Sequence, residues 1–116
     1  MQRLTDLDDL AHTLHARARA KGFYEPYDNM DEADHVVFHL KQLAMIHSEV
    51  TEVLEAIRKE QGDDVVVEEL ADILIRVLDF WAHLNESGYT KVSLQKSLNN
   101  KIETNEKRAY MHGVLA

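Results

Sequence analysis

Apolar residues recur along this chain at the three- and four-residue intervals of an α-helix, in four separate blocks. Leu4, Leu7, Leu10, Ala11, Leu14 and Ala18 form the first block, and Thr5 with Asp8 supplies a start signal, so a helix is predicted over residues 5–20 with Gly22 ending it. The next dozen residues hold the only proline, Pro26, beside Phe23, Tyr24, Tyr27, Asp28, Asn29 and Asp31, which predicts an ordered aromatic loop. Asn29 and Glu32 have the spacing of a capping box. They would open a second helix whose apolar positions Val36, Leu40, Leu43, Ile46, Val50, Val53, Leu54 and Ile57 carry it to about residue 58. Gln61, Gly62, Asp63 and Asp64 then predict a turn, followed by a third helix over 64–86, a break at Ser87 and Gly88, and a fourth helix over 93–110. No repeat, low-complexity stretch or linker divides the chain. The expectation is one domain over 1–116, an all-α four-helix bundle with short connections.

Composition narrows the chemistry. With 116 residues, folding removes roughly two-thirds of the unfolded chain's surface from water, which allows an adequate but not generous core. The absence of Cys excludes disulfides and thiolate metal sites, so a bound metal must sit on oxygen or imidazole. Residues 1–6 lack the apolar run of a signal peptide, and no stretch approaches the roughly 20 apolar residues that span a bilayer, so a soluble, cytoplasmic protein without a membrane partner is expected. A net charge of −8 argues against a nucleic-acid polymer as partner, because that binding depends on neutralising many phosphates. A small anionic substrate stays possible where metal and a few cations are placed locally.

The most specific feature is a matched pair of motifs, Glu49-Val50-Thr51-Glu52 and Glu69-Leu70-Ala71-Asp72. Residues three apart on a helix share a face, with Cβ atoms roughly 5 to 6 Å apart. Projected from Val50, residues Leu43, Ile46, Val53, Leu54 and Ile57 fall on one predicted inward seam, with Glu49 and Glu52 on its flank. Projected from Leu70, residues Val66, Ile73, Leu74, Val77, Trp81 and Leu84 form the second seam, with Glu69 and Asp72 on the corresponding flank. Sixteen residues separate the pairs, which suits two antiparallel helices placing them at one level. Four converging carboxylates repel one another and raise each other's pKa unless cations intervene. Oxygen-only ligation favours Mg²⁺, with Mn²⁺ as substitute. The competing reading is that these acids only solvate exposed helix faces.

Arg76, Asp79 and His83 continue the Glu69 and Asp72 strip, while Ile75 and Leu78 make most of the remaining surface apolar. Such a helix is buried on several sides, which predicts an oligomer. The polar stripe then lines a site, with Arg76 and Asp79 as candidate substrate-binding residues and Asp79 as a further ligand or a partner of Arg76; the alternative is a plain intrahelical ion pair. In the fourth helix, with Leu94, Leu98 and Ile102 as its seam, Lys101, Asn105 and Arg108 fall at inward positions. Buried cations need acids or a ligand's phosphates as partners; otherwise they form a stripe that reaches out to water.

Taken together, Glu49-x-x-Glu52, the spacer, Glu69-x-x-Asp72, then Lys101-x-x-x-Asn105-x-x-Arg108 and Tyr110-x-His112-Gly113 resemble the MazG-like, all-α nucleoside triphosphate pyrophosphohydrolases over about 43–113. The resemblance implies hydrolysis of a nucleoside triphosphate between the α and β phosphates, with Mg²⁺ on Glu49, Glu52, Glu69 and Asp72. It also implies phosphate binding by Lys101, Asn105 and Arg108, and a homodimer or homotetramer. Glu49 and Glu52 are the candidates for activating water. Two other readings compete. A di-iron carboxylate bundle needs two Glu-x-x-His motifs, of which only Glu32-x-x-His35 is present; a non-catalytic association module would use its acids for solubility alone. The spacing of His35 and His39 invites zinc, yet no motif completes that site, so surface or loop-facing roles are expected for the histidines. Phe23, Tyr24 and Tyr27 either stack on a base or pin the loop, and Trp81 is expected in the core.

Overall fold

The computed structural model describes residues 6–108. These form α1 (Leu7–Ala20), a short α2 (Glu25–Asp28), a 3-10 turn (Glu32–Asp34), α3 (His35–Arg58), α4 (Asp63–Glu86) and α5 (Leu94–Glu106), with no strand among the described residues. The all-α class and its four long helices match the apolar periodicity. Thr5, Tyr110, His112 and Gly113 lie outside the described residues.

Local chemistry sets the helix ends. Asp6, not Thr5 with Asp8, caps α1, its carboxylate accepting the Asp9 N–H at 2.9 Å. At the other end Gly22, at φ +84°, lets its own N–H reach the Arg19 carbonyl and the Phe23 N–H reach that of Ala18, satisfying two terminal acceptors. The end of α3 closes with the same backbone geometry on Glu60 at φ +51°, a left-handed conformation that a side chain opposes. The expected capping box does not form. Asn29 instead donates its amide to the Glu25 carbonyl at 2.8 Å, because Pro26, which needs no N–H in a first turn, starts α2 inside the predicted loop.

Asp8 has a different task. Its carboxylate accepts the Ser93 hydroxyl and the Gln95 N–H at the start of α5, while the Gln95 side-chain oxygen accepts the Leu7 N–H at 2.9 Å. Each helix start thus satisfies donors of the other.

The centre of the fold is α4, with α1 and α3 packed along it. Both run antiparallel to it: His12 and His15 meet Glu86 and Asp79, whereas His39 and Glu49 meet His83 and Arg76. Ala11, Leu78 and Ala82 form one core, covered by Leu10, Leu14, Trp81 and Leu94. Tyr24, Tyr27 and Phe38 form a second, so two of the three loop aromatics pin α2 against α3.

The predicted seams are inward only in part: Ile46, Val53, Val66, Ile73, Trp81 and Leu84 are half-buried, and Trp81 packs on the first core. Val50, Leu54, Ile57, Leu70 and Leu74 are each at least half exposed, and Leu43 and Val77 are only partly covered. The polar flank also turns inward: Arg76 meets Glu49 and His83 meets His39 between α3 and α4, Asp79 meets His15 of α1 and Tyr24, and Glu69 lies half-buried beside Glu49. A hydrophobic stripe records which residues avoid water, and within one chain it does not say against what.

Candidate functional site

Glu49 projects from α3 toward Glu69 and Asp72 on α4, and one carboxylate oxygen from each lies within 4.8 Å of the others. The antiparallel pairing accounts for this: the short turn at Gly62 places the middle of α3 opposite the first half of α4. An octahedral ion with oxygens at about 2.1 Å holds neighbouring ligands about 3 Å apart, so closure of these separations by up to about 2 Å would bring three hard oxygens onto one Mg²⁺ or Mn²⁺. The donor set fits such an ion. Glu52, one turn along α3 from Glu49, is exposed and stands beside rather than within this group.

Electrostatics separate the two glutamates. The Arg76 guanidinium, whose Nε donates to Glu49 Oε1 at 2.8 Å, and a hydrogen bond with Glu52 hold the Glu49 carboxyl below the usual range. The same hydrogen bond with Glu49, together with the nearby charges of Glu69 and Asp72, pushes Glu52 up.

Asp79 lies outside the three-acid group, and Arg76 pairs with Glu49 rather than with it. One Asp79 oxygen is held by His15 Nδ1 at 2.7 Å and the other by the Tyr24 hydroxyl at 2.7 Å. Lys101 on α5 and Arg108 just beyond its end are exposed and Asn105 is half buried, and among the described residues no hydrogen bond or ion pair joins them to the acids. Asn105 Oδ1 is buried with no hydrogen-bond partner. Glu32 lies in the 3-10 turn, His35 binds the Tyr89 hydroxyl, and no histidine joins the acidic group among the described residues, which leaves the di-iron reading without support.

Two cavities adjoin the site. One of about 260 Å³ is lined by Glu49, Asp72, Arg76 and Asp79 with Leu14, Ala18, Phe23 and Ile75. The other, about 580 Å³, shares Phe23, Arg76 and Asp79 with it and continues along Tyr24, Pro26, Met30, Phe38, Gln42 and Met45. Phe23 remains 65% exposed and free to meet a ligand, unlike Tyr24 and Tyr27.

The sequence reading missed the buried histidines. His15 and His83 are completely buried, and His83 Nε2 lies 3.1 Å from His39 Nε2 among Tyr24, Tyr27 and Phe38. Burial, with the neighbouring His39 and His15, pushes the His83 pKa down to about 4. The available signal was its place on the same strip as Asp72, Arg76 and Asp79, which proves to be the inward one.

A family model for the MazG nucleotide pyrophosphohydrolase domain matches residues 38–109, more than half of the chain. The chain belongs to this family. MazG membership points to nucleotide pyrophosphohydrolase chemistry, and the match takes in most of α3, all of α4 and α5, and the residues just after α5, so it includes the acids and the Lys101 to Arg108 motif. No curated protein and no solved structure gives a significant match. Among the described residues of this MazG domain protein, no helix is long and apolar enough to cross a membrane.

Proposed function

We propose that this protein hydrolyses nucleoside triphosphates between the α and β phosphates, releasing a nucleoside monophosphate and pyrophosphate, with Mg²⁺ as cofactor and Mn²⁺ able to replace it. The observation that carries this reading is the convergence of Glu49, Glu69 and Asp72. Glu49, Glu52, Glu69 and Asp72 would hold the metal, which supplies charge neutralisation for the triphosphate and a lowered pKa for attacking water. Of the two candidates for the proton acceptor, Glu52 fits better than Glu49, because Glu49 is one of the three converging ligands and is bonded to Arg76.

Glu69, Asp72, Arg76 and Asp79 follow one another up a single face of α4, and at 1.5 Å per residue Asp72 and Asp79 are about 10 Å apart along its axis. A triphosphate at the acids would run along this strip. Arg76 would contact phosphate, Asp79 would hold the wall in place through Tyr24, and the base would enter the larger cavity against Phe23. Lys101, Asn105 and Arg108 would supply further phosphate contacts within an oligomer. The exposed aliphatic faces of α3 and α4 support a homodimer or homotetramer, since monomeric proteins rarely expose a contiguous apolar patch larger than a few hundred Å². The biological setting is clearance of surplus or non-standard nucleotides in the cytoplasm.

The test is a panel of canonical and modified nucleoside triphosphates incubated with Mg²⁺, with products resolved chromatographically. Monophosphate and pyrophosphate in equal amounts are expected. Asp72→Asn should lower turnover by about 10³-fold or more while the fold is retained, because like-charge repulsion is relieved. Undiminished turnover in that variant, or release of orthophosphate alone, would refute the assignment.

A further inference from the structure

Arg76 and Glu49 form an ion pair with an unusual address. The Arg76 Nε–H donates to Glu49 Oε1 at 2.8 Å, and that carboxylate is one of the three converging on a common point. Glu49 is well covered, with 14% of its side chain exposed, whereas Arg76 keeps 38%. Only Nε is engaged. Among the described residues the terminal amino groups of the guanidinium make no hydrogen bond, and Arg76 lines both cavities, one helical turn beyond Asp72. A guanidinium never loses its charge, and its planar fork suits a phosphate as well as a carboxylate.

We infer that Arg76 is a resident counter-ion that neutralises Glu49 before metal arrives, yields this carboxylate to the divalent ion, and then turns its fork to the phosphates of the incoming substrate. The inference rests on the metal reading proposed above. Three features of the pair suit exchange. The bond is single rather than bidentate, so little geometry is lost on release. The cation is the more exposed partner, so water can take over its solvation. The competing cation would carry twice the charge and would be shared by Glu69 and Asp72, so Glu49 has a stronger partner available.

The full-length protein, labelled with ¹⁵N-arginine, tests this directly. The Arg76 Nε–H resonance is assigned by its loss in Arg76→Lys and, independently, in Arg76→Gln. It is expected to move on titration with Mg²⁺, at the same concentrations that raise the melting temperature, and to move again on addition of inorganic tripolyphosphate. Calorimetry should show Mg²⁺ binding to Arg76→Gln about fivefold more tightly than to the unaltered protein, since a competing ion pair of this exposure has been removed. Should Mg²⁺ raise the melting temperature while the Arg76 resonance stays fixed, the exchange is wrong and the metal site stands. If Mg²⁺ changes neither, the exchange and the metal reading fall together.

Discussion

The two halves of α4 are built on opposite terms. From Leu78 to Glu86 the helix meets α1, α2 and α3 at once: Leu78, Ala82 and His83 are buried, and hydrogen bonds tie Asp79 to His15 and Tyr24. From Asp63 to Val77 it buries no residue completely, exposes Val67, Leu70 and Leu74, and turns Glu69 and Asp72 toward Glu49. The upper half is a finished interior held by its own side chains. The lower half sets like charges side by side and leaves aliphatic surface in water, and it is here that the proposed ions and a second copy of the chain would be accommodated. Function belongs with the incomplete half, because a site that is already satisfied has nothing to offer a ligand.

Mutations should divide along the same line. Leu78→Ala is expected to lower unfolding free energy by about 2 to 5 kcal/mol, measured by denaturant titration, because it opens a cavity in the finished half. Leu54→Gln should leave folding intact and shift light-scattering mass toward the single chain; an unchanged mass would show that the aliphatic face is not a contact between copies.

Acid should attack the upper half first. His83 stays neutral in the folded state down to about pH 4, while in the unfolded chain it takes a proton near 6.5. Between those values the unfolded state binds more protons, so stability falls as pH drops through this window, by up to about 3 kcal/mol from this residue. His39, lowered by burial and by His35, contributes in the same direction. In His83→Asn the slope of melting temperature against pH over this window should flatten; an unchanged slope would mean that the histidine pair does not govern acid sensitivity. The smallest effect lies at the turn below the acids, where Glu60→Gly should stabilise by about 0.5 to 1 kcal/mol by removing a side chain from a left-handed position.

Helix existence was legible in the chain because each long helix carries several turns of apolar periodicity. The convergence of Glu49, Glu69 and Asp72 was legible because their spacing and phase match on two helices joined by a short turn, whereas Glu52 stands outside that group. Rotation was not. The same aliphatic stripe fits an intrachain seam or an exposed face, and here Leu54 and Leu74 are exposed while the pair of Glu49 and Arg76 lies between the two helices. Long-range polar pairing was equally hidden. Nothing in the local sequence around Asp8 says that it serves Ser93 and Gln95, and a capping signal read locally assigned it to its own helix.

The interlocked starts of α1 and α5 give the later helix a pivot. Asn105 lies twelve residues past Ser93, about 18 Å along the axis at helical rise, so a tilt of about 10° at the joint carries it roughly 3 Å. That displacement is comparable with the length of a hydrogen bond. An adjustment that leaves the Asp8 and Gln95 bonds intact would therefore be large enough to carry the arm's far end into or out of reach of the phosphates that the proposed function places there.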